Sequence, residues 1–288
     1  MKLLYNKKIW WFIISGLIIV PGILSLIFWR LNFGIDFKGG ALLEVKTQKE
    51  KVKTEEALDT IKPLNLPDLN IITTNQNTFL IKTAPIDQEK VNEIKSKLKE
   101  KFGEIEEVRY ENVGPVVGSD LKNKTIWAVS LACLLIILYV AWAFKNIKSG
   151  VSAIIALVHD LFVVTGIFSI VSHFTHWEID SYFIVGLLTI LGFSVHDTIV
   201  VFDRIRENLK RHPGYNFEDI ANESLIQTLG RSLNTSLTVL IALFAMFLLG
   251  GESLKPFIFT LLVGIFIGTY SSIFIATPIL VLWQGRGK

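Results

Sequence analysis

Apolar and polar positions follow two different patterns along this chain. Six stretches, near residues 9–29, 126–144, 151–172, 181–202, 232–249 and 257–283, are almost uninterruptedly apolar. Each reaches the ~20 residues that a helix needs to cross a bilayer core. Between the first two, the pattern becomes short and mixed. ALLEVKT (41–47), LNIITT (69–74), TFLIKT (78–83) and EIEEVRYENV (104–113) alternate as strands do, while KTEEALDTIKPL and IDQEKVNEIKSKLKEKF have helical spacing. In the second helix, Val91, Ile94, Leu98 and Phe102 fall on one face. The order β-α-β-β-α-β predicts a ferredoxin-like unit, with Asn75-Gln76-Asn77 as a hairpin turn.

The predicted fold is therefore a polytopic α-helical membrane protein with six transmembrane helices and an α+β ferredoxin-like domain between the first and second. Residues 1–30 hold the N-terminus and first helix, 31–125 the α+β domain, and 126–288 a five-helix bundle with a short C-terminus. The composition agrees, since 51% of the 288 residues are hydrophobic, too many for an ordinary soluble domain. The first apolar stretch is too long for a cleavable signal, and no small-residue cleavage site follows it. The single Cys133 has no disulfide partner in the chain and reads as a small apolar filler.

Charge asymmetry predicts the orientation. Lys2, Lys7 and Lys8 precede the first span, Lys145 and Lys148 lie between the second and third, Arg204, Arg206, Lys210, Arg211 and Arg231 lie between the fourth and fifth, and Arg286 and Lys288 end the chain. The opposite short loops, HFTHWEID and GGESLKP, carry only Lys255. By the positive-inside rule both termini are cytoplasmic and residues 31–125 are extracytoplasmic. A net charge of +3 carries no nucleic-acid signal.

Candidate chemistry lies in the membrane. An Asp near the middle of a spanning helix costs ~2.5–3.5 kcal/mol on insertion scales, so it must face protein or water, find a partner, or be protonated. Asp197 is such a residue, ~8 Å from the end of the fourth span at the helical rise per residue. The third span repeats the pattern, with VHDLFVV at 158–164 against VHDTIVV at 195–201. Because the two helices run antiparallel, Asp160 approaches Asp197 in depth, and one polar pocket for both is expected. The fifth span begins LGRSLNTSLTVL, and its Arg231 is the predicted counter-charge of Asp197, supported by Asn234, Thr235 and Ser236. A carboxyl that alternates between paired and neutral is what a proton-coupled machine needs. The competing reading is that such a pair only fixes helix register. His159 and His196 are read as hydrogen-bonded packing residues, with Thr198 among the oxygen donors around Asp197. For Asp203, Arg204 and Arg206 the positive-inside role suffices. GIFIG (264–268) predicts a small-residue helix contact with an unspecified partner, and Pro278 a kink.

Taken together, FGIDFKGG (33–40), ALVHD (156–160), HDTIVVFDRIREN (196–208), NTSLTVL (234–240) and GTYSSIFIATPIL (268–280) resemble the SecF branch of the SecD/SecF protein-export family, in the resistance-nodulation-division superfamily. Gly34, Asp36, Gly39 and Gly40 form the family's signature turn. The resemblance covers essentially the whole chain. It implies a heterodimer with SecD, association with the SecYEG channel, cooperation with the ATPase SecA on a translocating preprotein, and use of the proton-motive force. It also implies proton-pathway roles for Asp197 and Arg231. Lys38 and Val239 each stand where relatives often have Thr. His196 stands where they often have Asn, so this position is expected to orient Asp197 rather than to titrate.

No cofactor or metal site is expected, and no covalent catalysis. HExxH is absent, and Ser194 lies two residues from His196 on one helix, pointing to a different face. A structural subunit without ion conduction and a small-molecule exporter of the same superfamily are the rival readings. The coupling ion, H⁺ or Na⁺, stays open.

Overall fold

The computed structural model describes residues 8–48, 52–73, 77–144, 146–175 and 177–285. Lys2, Lys7, Lys145, Arg286 and Lys288 of the charge argument, and Asn75 and Gln76 of the predicted turn, lie outside these residues. Contacts divide the chain into two units, Phe33–Trp127 and the combination of Met1–Asn32 with Ala128–Lys288.

The smaller unit contains α2 (Ile35–Lys38), β1 (Gly40–Thr47), α3 (Thr54–Ile61), β2 (Asn70–Thr73), β3 (Thr78–Thr83), α4 (Gln88–Phe102) and β4 (Ile105–Val113). Its four strands lie in the order β2-β3-β1-β4 with every neighbouring pair antiparallel, the ferredoxin-like arrangement that the alternation predicts. Period-two alternation turns Ala41, Leu43 and Val45 of β1, with Phe79 and Ile81 of β3, into one core. Ala57 and Ile61 of α3, and Val91, Ile94, Leu98 and Phe102 of α4, fill it from the other side. Asp87 caps α4 by accepting from the Lys90 amide at 3.0 Å.

Where the chain enters β1, Gly39 and Gly40 have φ of 80° and 144°. A Cβ on Gly40 would lie 2.9 Å from Ile35 Cγ2 and 3.0 Å from the Thr83 carbonyl oxygen, so both conformation and space require glycine. Gly34 precedes the short α2 in an extended conformation, and Asp36 lies in its first turn.

The larger unit is an all-helical bundle: α1 (Lys8–Phe28), α5 (Pro115–Phe144, which begins in the smaller unit), α6 (Ile147–Thr175), α7 (Ser181–Arg211), α8 (Phe217–Leu249), and α9 (Lys255–Ser271) joined through a π-helical turn (Ser272–Ala276) to α10 (Thr277–Gly285). Among the described residues, six helices are long and apolar enough to cross a membrane, the last running as one from α9 through α10. The helices outrun the apolar stretches. After Phe202, α7 continues to Arg211, held by Asp203–Arg206, Arg204–Glu207 and Glu207–Arg211 pairs at i,i+3 and i,i+4 spacing. α8 starts at Phe217, well before the predicted Ser232. Hydropathy reports where lipid is tolerated, while the helix ends where its caps and side-chain pairs end it.

Small residues set the closest helix contacts. GIFIG faces α7: a Cβ on Gly264 would lie 2.1 Å from Ile190 Cδ1, and one on Gly268 3.1 Å from Ser194 Cβ. α1 and α6 run parallel in register, with Ser15 against His159, Gly22 against Gly166 and Ser25 against Ser169. Upstream of Pro278 the helix departs from α geometry. Proline has no N–H to return to Phe274, the ladder opens into the π turn, and the Thr277 hydroxyl donates to the Ser272 carbonyl at 3.0 Å.

Candidate functional site

At the centre of the bundle lie two carboxyls in two separate hydroxyl cages. Asp197 comes from α7, whose buried residues include a stripe at 183, 186, 190, 194, 197, 201, 205 and 208. It is 7% exposed. The Ser232 hydroxyl of α8 donates to its Oδ1 at 2.5 Å, and the Ser272 hydroxyl, at the start of the π turn, donates to its Oδ2 at 2.7 Å. Asp160 comes from α6 and is fully enclosed. Ser194 of α7 and Ser271 of α9 both donate to its Oδ2, at 2.6 and 2.8 Å. His159 Nδ1 lies 3.0 Å from its Oδ1, and His159 Nε2 lies 3.0 Å from Ser15 Oγ on α1. A ring protonated at Nδ1 donates to the carboxylate and accepts from Ser15.

The single shared pocket predicted for the two carboxyls is therefore two adjoining cages. The wall between them has two parts. On α7, Ser194 serves Asp160 while Asp197 stands one helical turn further on. In the last span, the adjacent residues Ser271 and Ser272 serve one carboxyl each.

Three expectations about the surroundings of Asp197 are corrected. The pair with Arg231 is not formed, because both Asp197 oxygens are taken by hydroxyls and Arg231 projects from the exposed side of α8. The reason is rotational: successive residues on a helix point ~100° apart, and Ser232, one residue on, is the one turned inward. His196 is exposed for the same reason and does not orient Asp197. Asn234 and Thr235 are exposed as well, whereas Ser236 and Thr198 are buried. Ser236 Oγ lies 2.5 Å from Thr269 Oγ1 and donates to the Ser232 carbonyl, and Thr198 donates to the Ser194 carbonyl at 3.0 Å. These two join neighbouring turns and helices without reaching a carboxyl themselves.

Sequence reasoning missed the groups that hold the carboxyls: Ser15, Ser194, Ser232, Ser271 and Ser272. Serine is common in membrane helices, so no composition signal marks them. The available signal was positional, since Ser194 lies on the same helical stripe as Asp197 and Ser271-Ser272 lie in the quoted GTYSSIFIATPIL. Among the described residues, no group of three or more His, Cys, Asp or Glu side chains gathers to hold a metal ion. A carboxyl ringed by hydroxyls can exist in two states. The charged form accepts from both hydroxyls; the protonated form donates to one of them, which turns to accept. A guanidinium partner would not permit this reversal.

This combination of six apolar helices, a ferredoxin-like domain after the first, and carboxyls buried in the bundle centre defines a multi-pass membrane protein with an internal polar site. The family described as protein export membrane protein SecD/SecF, C-terminal, matches residues 93–286, and the SecD/SecF GG motif matches residues 25–51. The chain belongs to the SecD/SecF family. It is 41% identical to protein translocase subunit SecF of Anaerolinea thermophila, over 97% of this chain and 93% of that one. It is 37% identical to protein translocase subunit SecDF of Bacillus subtilis, over 98% of this chain but 38% of that longer protein. Its fold matches the crystal structure of SecDF, a translocon-associated membrane protein from Thermus thermophilus, with a TM-score of 0.85 and 32% identity, covering 98% of this chain and 38% of that one. A second SecDF structure, in a super-membrane-facing form, matches with a TM-score of 0.70.

Proposed function

We propose that this protein is an auxiliary subunit of the Sec translocase that works beside SecD and uses the proton-motive force to promote the late stage of preprotein export. Support for the partner comes from relatives in which an equivalent of this chain forms 38% of a longer SecDF protein. In this reading both termini are cytoplasmic, and residues 31–125 meet the emerging polypeptide outside, after SecA has pushed it through SecYEG. The domain limits 1–30, 31–125 and 126–288 follow the same topology.

The observation that carries the coupling is the cage of Asp197: a carboxyl inside a membrane-spanning bundle whose partners, Ser232 and Ser272, are neutral hydroxyls that accept either protonation state. A proton from outside neutralises Asp197, reverses one of these hydrogen bonds and loosens α8 from the last span, and the proton then leaves on the cytoplasmic side. Each charge that crosses 100 mV supplies ~2.3 kcal/mol, enough to shift a two-state equilibrium about fiftyfold. Arg231 takes part from the exposed face of α8, which it shares with Asn234 and Thr235. A guanidinium there is costly against lipid, so this face is assigned to the helices of SecD.

The test is export into vesicles that carry the assembled translocase. Asp197→Asn is expected to remove the gradient-dependent stimulation while the complex stays assembled, and normal stimulation refutes the role. A proton-selective ionophore is expected to collapse the wild-type stimulation and a Na⁺-selective one to spare it. Collapse by the Na⁺ ionophore alone reassigns the ion. A structural subunit without ion coupling predicts no effect of Asp197→Asn at all.

A further inference from the structure

A polar thread, joined only through the backbone between the adjacent Ser271 and Ser272, leads away from the Asp197 cage and the proposed ion step leaves it unused. It runs from Asp197 to Ser272, through the adjacent Ser271 to Asp160, then to His159, and from His159 to Ser15 on α1. Tyr270 Oη lies 3.4 Å from Ser15 Oγ and donates to the Trp11 carbonyl at 2.9 Å, so the thread ends where α1 meets α9. Trp11 Nε1, on the same face of α1 as Ser15, is buried without an acceptor among the described residues. The α1 contact thus keeps a spare donor for a rearranged hydrogen-bond pattern.

We infer that Asp160, held by His159 and Ser15 and joined to Asp197 through Ser271 and Ser272, is a positioning residue that sets the pH at which Asp197 works and ties that step to the first helix. This rests on the proton-coupled reading of Asp197. Two carboxyls in adjoining cages of a low-dielectric bundle repel when both are charged, so the protonation of each depends on the other. The hydroxyls add a mechanical link. When Ser272 turns to accept from a protonated Asp197, the backbone it shares with Ser271 shifts beneath Asp160. The open π turn, Ser272–Ala276, begins at this point and gives the segment room to move.

The titratable groups of this network are Asp160 and His159 on α6, Asp197 on α7 and Tyr270 on α9; α1 and α8 contribute the hydroxyls of Ser15 and Ser232. Arg231 and His196, beside it in sequence, are exposed. Among the described residues, His159 is the one ionisable side chain hydrogen-bonded to Asp160.

The test is the pH profile of export stimulation by the complete complex in vesicles, with the amount of assembled complex measured in parallel. Asp160→Asn is expected to displace the midpoint of the profile by about one pH unit while retaining its amplitude. Ser271→Ala and Ser15→Ala are expected to displace it by smaller amounts, and His159→Gln, which keeps one hydrogen bond, by less than His159→Ala. A lowered amplitude at an unmoved midpoint would mean that Asp160 only holds helices together, and overturns the inference. If Asp160→Asn fails to assemble, the two serine variants decide by the same criterion. Asp197→Asn is the control for the underlying reading: a flat response is expected, and a wild-type profile in that variant removes both proposals. An unmoved midpoint in the Asp160 and serine variants beside a flat Asp197→Asn removes only this one.

Discussion

The two Val-His-Asp segments of this protein have the same tripeptide and reach opposite outcomes. In α6, His159 is 8% exposed and bonded to both Asp160 and Ser15; in α7, His196 is exposed. The helices packed around each segment decide the difference. α6 is covered on two sides, by α1 in parallel register and by α7 and α9, so adjacent residues ~100° apart are both buried. α7 packs against α6, α8 and α9 and buries Asp197 together with Thr198, while His196 points out of that contact surface and is exposed. A motif in a membrane helix therefore does not determine the environment of its residues; the direction in which each residue faces its neighbouring helices does. Asp160 is enclosed by a histidine and two hydroxyls, whereas Asp197 is held by two hydroxyls alone and retains slight exposure.

The comparison can be broken most severely at Asp197. Asp197→Asn should reduce gradient-dependent export to background, while Asp160→Asn should leave export active with an altered pH profile, both measured in vesicles. Next in size is a wedge on one side only. Gly22→Ala would place a Cβ 2.9 Å from Gly166 Cα. Such overpacking costs ~1–3 kcal/mol, seen as a lower unfolding temperature in detergent. It should disturb the α1 side of Asp160 and leave the Ser232–Asp197–Ser272 cage intact. Removing the histidines sharpens the contrast. His159→Ala deprives a buried carboxylate oxygen of its histidine and Ser15 of one of its two partners and should cost ~1–3 kcal/mol, whereas His196→Ala should stay within ~0.5 kcal/mol. Equal losses in the two variants would show that the environments differ less than their geometry indicates. The smallest effect is expected from Thr198→Val, which removes a hydroxyl that bonds only to its own helix and should change unfolding by less than ~0.5 kcal/mol.

Both carboxyls could be found in the sequence because charge inside an apolar run is rare and costly. The four strands and two helices of the small domain could be found because periods of 2 and 3.6 stand out over short windows. Helix ends were not legible. Asp203, Arg204, Arg206 and Glu207 look like a loop to a hydropathy argument and like a continuing helix to one based on side-chain pairs. The Asp197–Arg231 pair failed because charge complementarity in a sequence carries no rotational information: one residue's step along α8 exchanges a guanidinium for the Ser232 hydroxyl. The cages themselves stayed hidden since serine hydroxyls acquire meaning only when three or four helices bring them to one point.

The most direct test of the central claim is infrared difference spectroscopy of the assembled complex in lipid, recorded across a pH titration. The account predicts a protonated-carboxyl carbonyl band that grows on acidification, is absent in Asp197→Asn, and moves along the pH axis in Asp160→Asn. A titrating carboxyl band that persists unchanged in Asp197→Asn would contradict it.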